Sequence, residues 1–104
     1  MLFDLILYES KSGEGADIWI TRPNDTSAKQ LTFGGLNRMP SVSPDNRYIV
    51  FMKGENAEHA SHVWRMDLDG GNLRQVTNGL EESNPCVSAD SQWIVYKADR
   101  KSVV

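Results

Sequence analysis

His59 and His62 stand three residues apart, with Glu55 and Glu58 just before them. Imidazole and carboxylate together could hold a divalent cation. The spacing argues against it, because a helical zinc motif sets its two histidines four apart on one face, and no third ligand is fixed here. No metal is expected. Ser12-Gly13-Glu14-Gly15 has the glycines of a phosphate-cradling loop but opens no helix, so it reads as a surface turn. No nucleophile elbow and no Ser-His-Asp grouping is recognisable. Neither catalytic residues nor a cofactor are therefore expected, and the chain is read as no enzyme. Cys86 is the single cysteine, which rules out an internal disulfide. It is expected as a small buried side chain in a packed strand, not as a reactive thiol.

Charge narrows the partners further. The 104 residues carry 11 Lys and Arg against 14 Asp and Glu, a net charge of −3. The basic residues are scattered, so no phosphate-tracking surface forms and nucleic acid is not an expected partner. Met1 to Tyr8 is apolar, but it is short, lacks a basic leader and contains Asp4. It is read neither as a secretion signal nor as a membrane span.

The elements that must position these residues repeat at an offset of 45 residues. Gln30-Leu31-Thr32 returns as Gln75-Val76-Thr77, Gly34 as Gly79, and Trp19 as Trp64. Pro40, Val42, Ser43 and Asp45 return as Pro85, Val87, Ser88 and Asp90, and Tyr48-Ile49-Val50-Phe51 returns as Trp93-Ile94-Val95-Tyr96. One supersecondary unit is therefore copied, each copy packing on the next. Cys86 falls on Ser41 in this alignment, which is why a small packed side chain is expected there.

Short apolar runs between Gly, Pro, Asn, Asp and Ser clusters predict an all-β chain. Strands are expected near Leu5–Tyr8, Asp17–Arg22, Ala28–Thr32, Met39–Val42, Arg47–Met52, His62–Asp67, Leu73–Thr77, Asn84–Val87 and Gln92–Lys97. The runs Tyr48–Phe51 and Trp93–Tyr96 are apolar at every position, so both faces of these strands must be covered, as in a sheet stacked between two others. Trp64 is expected to be clamped between sheets. Ser43-Pro44-Asp45-Asn46 suits a type I turn, and Asp69-Gly70-Gly71-Asn72 suits a tight hairpin.

These residues resemble the TolB-type β-propeller repeat. Leu31-Thr32, Pro40, Ser43-Pro44-Asp45, Ile49-Val50-Phe51, Val63-Trp64-Arg65-Met66-Asp67 and Asp69-Gly70 fall in order on that repeat's positions. Asn46 and Ser91 stand where the family prefers Gly, Ala89 where it prefers Pro, and Trp19 and Trp64 where it prefers Tyr. The resemblance implies a partial β-propeller of about two and a quarter four-stranded antiparallel blades. Residues 1–32 would be an incomplete blade, 33–77 a complete one and 78–104 the start of the next. It also implies a non-enzymatic, protein- or peptide-binding scaffold, which in TolB itself is a periplasmic component of the Tol–Pal system contacting a lipoprotein.

Two and a quarter blades cannot close a ring. A piece of a longer propeller is the preferred reading, and self-association through open blade edges is expected of the isolated chain. Loops Glu9–Ala16 and Lys53–Ser61, with links Phe33–Arg38 and Asn78–Ser83, would share one end. That end holds Glu9, Lys11, Glu14, Arg38, Glu55, Glu58, His59, His62, Glu81 and Glu82, read either as a partner-binding face or as a solvated surface. Arg38 beside Glu81 and Glu82 suggests an ion pair between blades. Two other settings use similar repeats: the gating propeller of prolyl-oligopeptidase-like serine peptidases, and the sensor propeller of bacterial signalling proteins.

Overall fold

The structure is a computed structural model that describes residues 5–12, 15–24, 27–55, 60–79 and 81–99. Its elements are β1 (Ile6–Ser12), β2 (Gly15–Thr21), β3 (Lys29–Gln30), β4 (Asn37–Val42), β5 (Tyr48–Gly54), β6 (Ser61–Asp67), β7 (Arg74–Gln75), β8 (Glu81–Val87) and β9 (Ile94–Asp99). The fold is all-β: a partial propeller of about two and a quarter four-stranded antiparallel blades. Strands β1-β2-β3 form one hydrogen-bonded sheet, and β4-β5-β6-β7 form a second, to which the β8–β9 hairpin is joined through β6 and β8 as the start of a further blade. Among the described residues no helix is long and apolar enough to cross a membrane.

A single parallel residue pair joins each sheet to the next. Ala16 pairs Leu36 at the first joint and Ser61 pairs Glu81 at the second. These are the same positions, one repeat apart.

Two hairpins run further than apolar spacing alone suggests. Glu9 to Ser12 and Gly15 to Ala16, expected in a loop, continue the β1–β2 ladder down to the pair Ser12 and Gly15. Lys53 and Gly54 likewise pair His62 and Ser61. Ladder hydrogen bonds need only backbone, so polar residues can extend a ladder that apolar residues anchor. Arg38 and Glu81 to Ser83, expected in links, lie in β4 and β8 for the same reason.

The bulges explain the repeated prolines. Pairing of β4 with β5 slips between Arg38 and Ser41, and pairing of β8 with β9 slips between Ser83 and Cys86. Met39 and Asn84, each preceding a proline, adopt φ of 55° and 52°. Proline has no N–H to give the ladder, so it is tolerated where the ladder is already broken.

Turn chemistry repeats as closely. The Ser43 hydroxyl donates to Asp45 Oδ1 at 2.6 Å and accepts from the N–H groups of Arg47 and Tyr48 at 3.1 and 3.0 Å. Ser88 donates to Asp90 Oδ1 at 2.6 Å and accepts from Trp93 N at 3.0 Å. These serine hydroxyls are the main reason the Asp45 and Asp90 carboxyls lie below the usual range. Asn46 and Ser91 occupy the left-handed region at φ 58° and 61°, which accounts for the family's glycine there.

The core lies in the two spaces between sheets. Ile18 and Leu31 meet Ile49, Phe51 and Met66 in the first, while Tyr48, Val50 and Val63 meet Val87 in the second. Every residue from Tyr48 to Phe51 is buried, alternate side chains entering opposite clusters. This is the double cover expected of the middle blade.

The copy behaves differently. Trp93 is 70% exposed and Val95 62%, with Tyr96 also exposed. Among the described residues the β8–β9 hairpin has a sheet on one face only. Cys86, opposite Val95 on β9, is exposed for the same reason, contrary to the expectation of burial. Trp64 is half-buried against the first cluster, with Lys53 Nζ 4.7 Å from its ring centroid.

Close approach at the first joint depends on a glycine. A Cβ on Gly15 would lie 2.7 Å from the Gly35 carbonyl oxygen, which accepts the Ala16 N–H at 2.9 Å. Gly15→Ala is expected to destabilise the chain by about 1–3 kcal/mol, the usual cost of overpacking against unyielding atoms. A urea midpoint unchanged from the parent would contradict this.

Candidate functional site

The polar end of the molecule is organised by its joints. At the first, Asp17 lies on β2 between the buried Ala16 and Ile18. Its carboxylate accepts from the Thr32 hydroxyl at 2.9 Å, the Gly35 N–H at 3.1 Å and the Asn37 amide at 2.8 Å. The Thr32 hydroxyl accepts in turn from the Ile18 N–H at 2.9 Å. Gln30 Nε2 donates to the Thr32 carbonyl at 2.8 Å and Gln75 Nε2 to the Thr77 carbonyl at 2.6 Å, so the recurring Gln-x-Thr segment orients the threonine.

The second joint has the same plan with the acid on the other strand. His62 replaces Asp17 and Glu82 replaces Asn37. Glu82 Oε1 lies 3.0 Å from His62 Nδ1 and accepts the Gly79 N–H at 2.9 Å. The Thr77 hydroxyl accepts from the Val63 N–H at 2.9 Å. Burial acts to raise the Glu82 carboxyl, but hydrogen bonds from Thr77, His62 and the Gly79 N–H outweigh it and hold the group below the usual carboxylate range.

The residues named from sequence divide between these joints and the surface. Glu9 and Lys11 are exposed on β1, and Glu9 Oε1 accepts the Met39 N–H at 2.6 Å, tying the first sheet to the second. Arg38 is half-buried on β4 opposite Met52. Glu81 is half-buried on β8. Glu55 follows β5, and its Oε1 lies 3.0 Å from His62 Nε2. His62 and Glu82 are buried and face each other. Glu14, Glu58 and His59 lie outside the described residues. Among the described residues no three His, Cys, Asp or Glu side chains are grouped to hold a metal ion.

Sequence reasoning missed a groove at the opposite end. It has a volume of about 480 Å³ and is lined by Arg47, Tyr48, Arg65, Val76, Gln92 and Trp93, among others. The Arg65 guanidinium stacks 3.8 Å from the Tyr48 ring centroid. The matched spacing of Tyr48 and Trp93 predicts two packed aromatics but not the arginine stacked on the first of them.

Repeated antiparallel sheets set face to face through matched joints define a β-propeller. The repeats are of the TolB type. The chain is 34% identical over 76 residues to the Tol-Pal system protein TolB of Rhizorhabdus wittichii, covering 73% of this chain and 17% of that protein. Against the Tol-Pal system protein TolB of Zymomonas mobilis it is 30% identical, with the same coverage of 73% and 17%. The structure of TolB from Acinetobacter baumannii superposes with a TM-score of 0.77 at 25% identity, covering 92% of this chain and 24% of that one. That of a TolB from Agrobacterium tumefaciens also gives 0.77, at 23% identity, covering 88% and 33%. No protein-family model matches the chain.

Proposed function

We propose that these repeats form a non-catalytic, protein- or peptide-binding part of a longer TolB-like propeller. In this reading residues 1–32, 33–77 and 78–104 are an incomplete blade, a complete blade and the start of a third. The observation that carries it is the likeness to Tol-Pal system proteins across 73% of this chain. It is supported by the bare apolar face of the last hairpin, where Trp93 and Val95 await a further sheet. The contact surface is the polar end, with Glu9, Lys11, Arg38, Glu55 and Glu81 at or near solvent and Glu14, Glu58 and His59 in the adjoining segments. His62 and Glu82 shape that surface from beneath. The partner class is a protein of a Tol–Pal-type system, and the working compartment that goes with this reading is the periplasm.

The test is binding of the folded chain to the soluble domain of a Pal protein, followed by biolayer interferometry. Lys11→Glu combined with Glu81→Lys is expected to weaken binding about tenfold, the scale of one lost charge-assisted contact. Asp90→Asn, at the turn end, is expected to leave it unchanged. Absence of binding, or a loss caused by Asp90→Asn alone, would overturn the proposal.

A further inference from the structure

The two joints differ in one donor, and that difference has a chemical consequence. Each holds one carboxylate that accepts a link N–H and has a threonine beside it, whose hydroxyl donates to the acid at 2.9 Å at the first joint. The third donor is the Asn37 amide at the first joint, which never loses its protons. At the second joint it is the His62 ring, which can.

His62 is also engaged on both sides. Nδ1 lies 3.0 Å from Glu82 Oε1 and Nε2 lies 3.0 Å from Glu55 Oε1. Ionised carboxylates only accept hydrogen bonds, and a neutral imidazole has a single N–H. Both contacts are satisfied together only when the ring carries a proton on each nitrogen. With one proton, one nitrogen lone pair must face a carboxylate lone pair at contact distance. Which contact survives follows from burial. The Glu82 side chain is 4% exposed and has no water to replace a lost donor, whereas that of Glu55 is 56% exposed and hydrates freely.

We propose that His62 is a proton-operated clasp: with both ring nitrogens protonated it holds Glu82 across the joint and Glu55 at the end of β5, and on losing one proton it keeps Glu82 and releases Glu55.

The charged groups that face this ring are few. From β5 and the residue after it come Lys53, which pairs His62 in register, and Glu55. From β8 come Glu82 and, one residue earlier, Glu81. From β4, Arg38 lies on the strand that pairs β5. The Lys53 ammonium sits over the Trp64 ring. The carboxylates are therefore the groups within hydrogen-bond reach of the ring among the described residues.

Freeing Glu55 removes a tie from the residue whose own N–H donates to the Ala60 carbonyl at 2.9 Å, and that bond is the one expected to weaken. The pH response is thus confined to the β5–β6 end of the polar face. The first joint, with an amide in place of the ring, serves as its internal control.

Amide hydrogen exchange of the full chain, resolved by residue and corrected for intrinsic pH dependence, tests this between about pH 5 and about pH 8, the range in which histidine changes charge. Exchange at the Glu55 amide is expected to accelerate roughly tenfold as pH rises, the local-opening equivalent of one lost charge-assisted hydrogen bond. The Gly79 and Gly35 amides, held by Glu82 and Asp17, are expected to show no such response. Glu55→Gln, a change at an exposed side chain that leaves the core intact, is expected to abolish the pH response. His59→Gln is expected to preserve it. A Glu55 amide indifferent to pH, a response that persists in Glu55→Gln, or one removed by His59→Gln would each overturn the proposal. The readout involves no partner, so its failure is separate from any failure of the binding proposal.

Discussion

Phe51→Ala lowers the stability of the chain by about 3–5 kcal/mol, the cost of removing a fully buried phenylalanine and leaving its cavity. Tyr96→Ala, at the same position one repeat later, costs about 1 kcal/mol or less, as at other exposed sites. Phe51 is 1% exposed among Ile18, Leu31, Ile49 and Met66, whereas Tyr96 is 41% exposed. The two side chains share a strand position and differ by a hydroxyl, so the contrast isolates the neighbour each one has. Folded domains hold about 5–15 kcal/mol in all, and the first loss takes a large share of that. Urea denaturation reads both effects as shifts of midpoint at a common slope. Equal shifts would mean that the middle sheet is not sandwiched as described.

Asp17→Ala costs about 3 kcal/mol through polar groups that are left without a partner. The carboxylate is the acceptor for Thr32, the Gly35 N–H and Asn37, and both Thr32 and Asn37 are buried. Each buried donor stranded in this way costs about 1–3 kcal/mol, and Asn37 recovers part through its second bond to the Phe33 carbonyl at 3.2 Å. Asp17→Asn, which retains one acceptor oxygen, costs less. Replacing both sides of the contact, Asp17→Ala with Asn37→Leu, costs less than the sum of the two single changes, because no donor is then stranded. Denaturation of the four proteins closes this cycle, and strict additivity would show that the joint is not a unit.

The strand cycle was legible because its signal is local. Tyr48-Ile49-Val50-Phe51 is apolar at each position, and only a strand covered on both sides requires that. The turns were legible for a similar reason, since Ser43 and Asp45 lie two residues apart and bond directly. The joints were not legible. Their members are scattered over 21 positions in the chain (Asp17 to Asn37, His62 to Glu82), and the two copies align Asp with His and Asn with Glu. Such mismatches look unrelated until the contacts show one acid exchanged between two strands. Sequence alone accordingly assigns His62 and Glu82 to the polar loop end. Cys86 and Trp93 show a different limit: a repeat transfers a position in the fold, but burial depends on whether another sheet follows.

One backbone pair crosses each joint, so adjacent sheets are matched by side chains and not by a shared ladder. A duplication that copies a whole unit therefore brings along a ready-made coupling to its predecessor. Later substitutions can rewrite that coupling, even moving its negative charge from one strand to the other, while the ladders within each sheet are untouched. An array assembled this way can lengthen by copying and diversify at its seams, with each seam free to acquire its own chemistry.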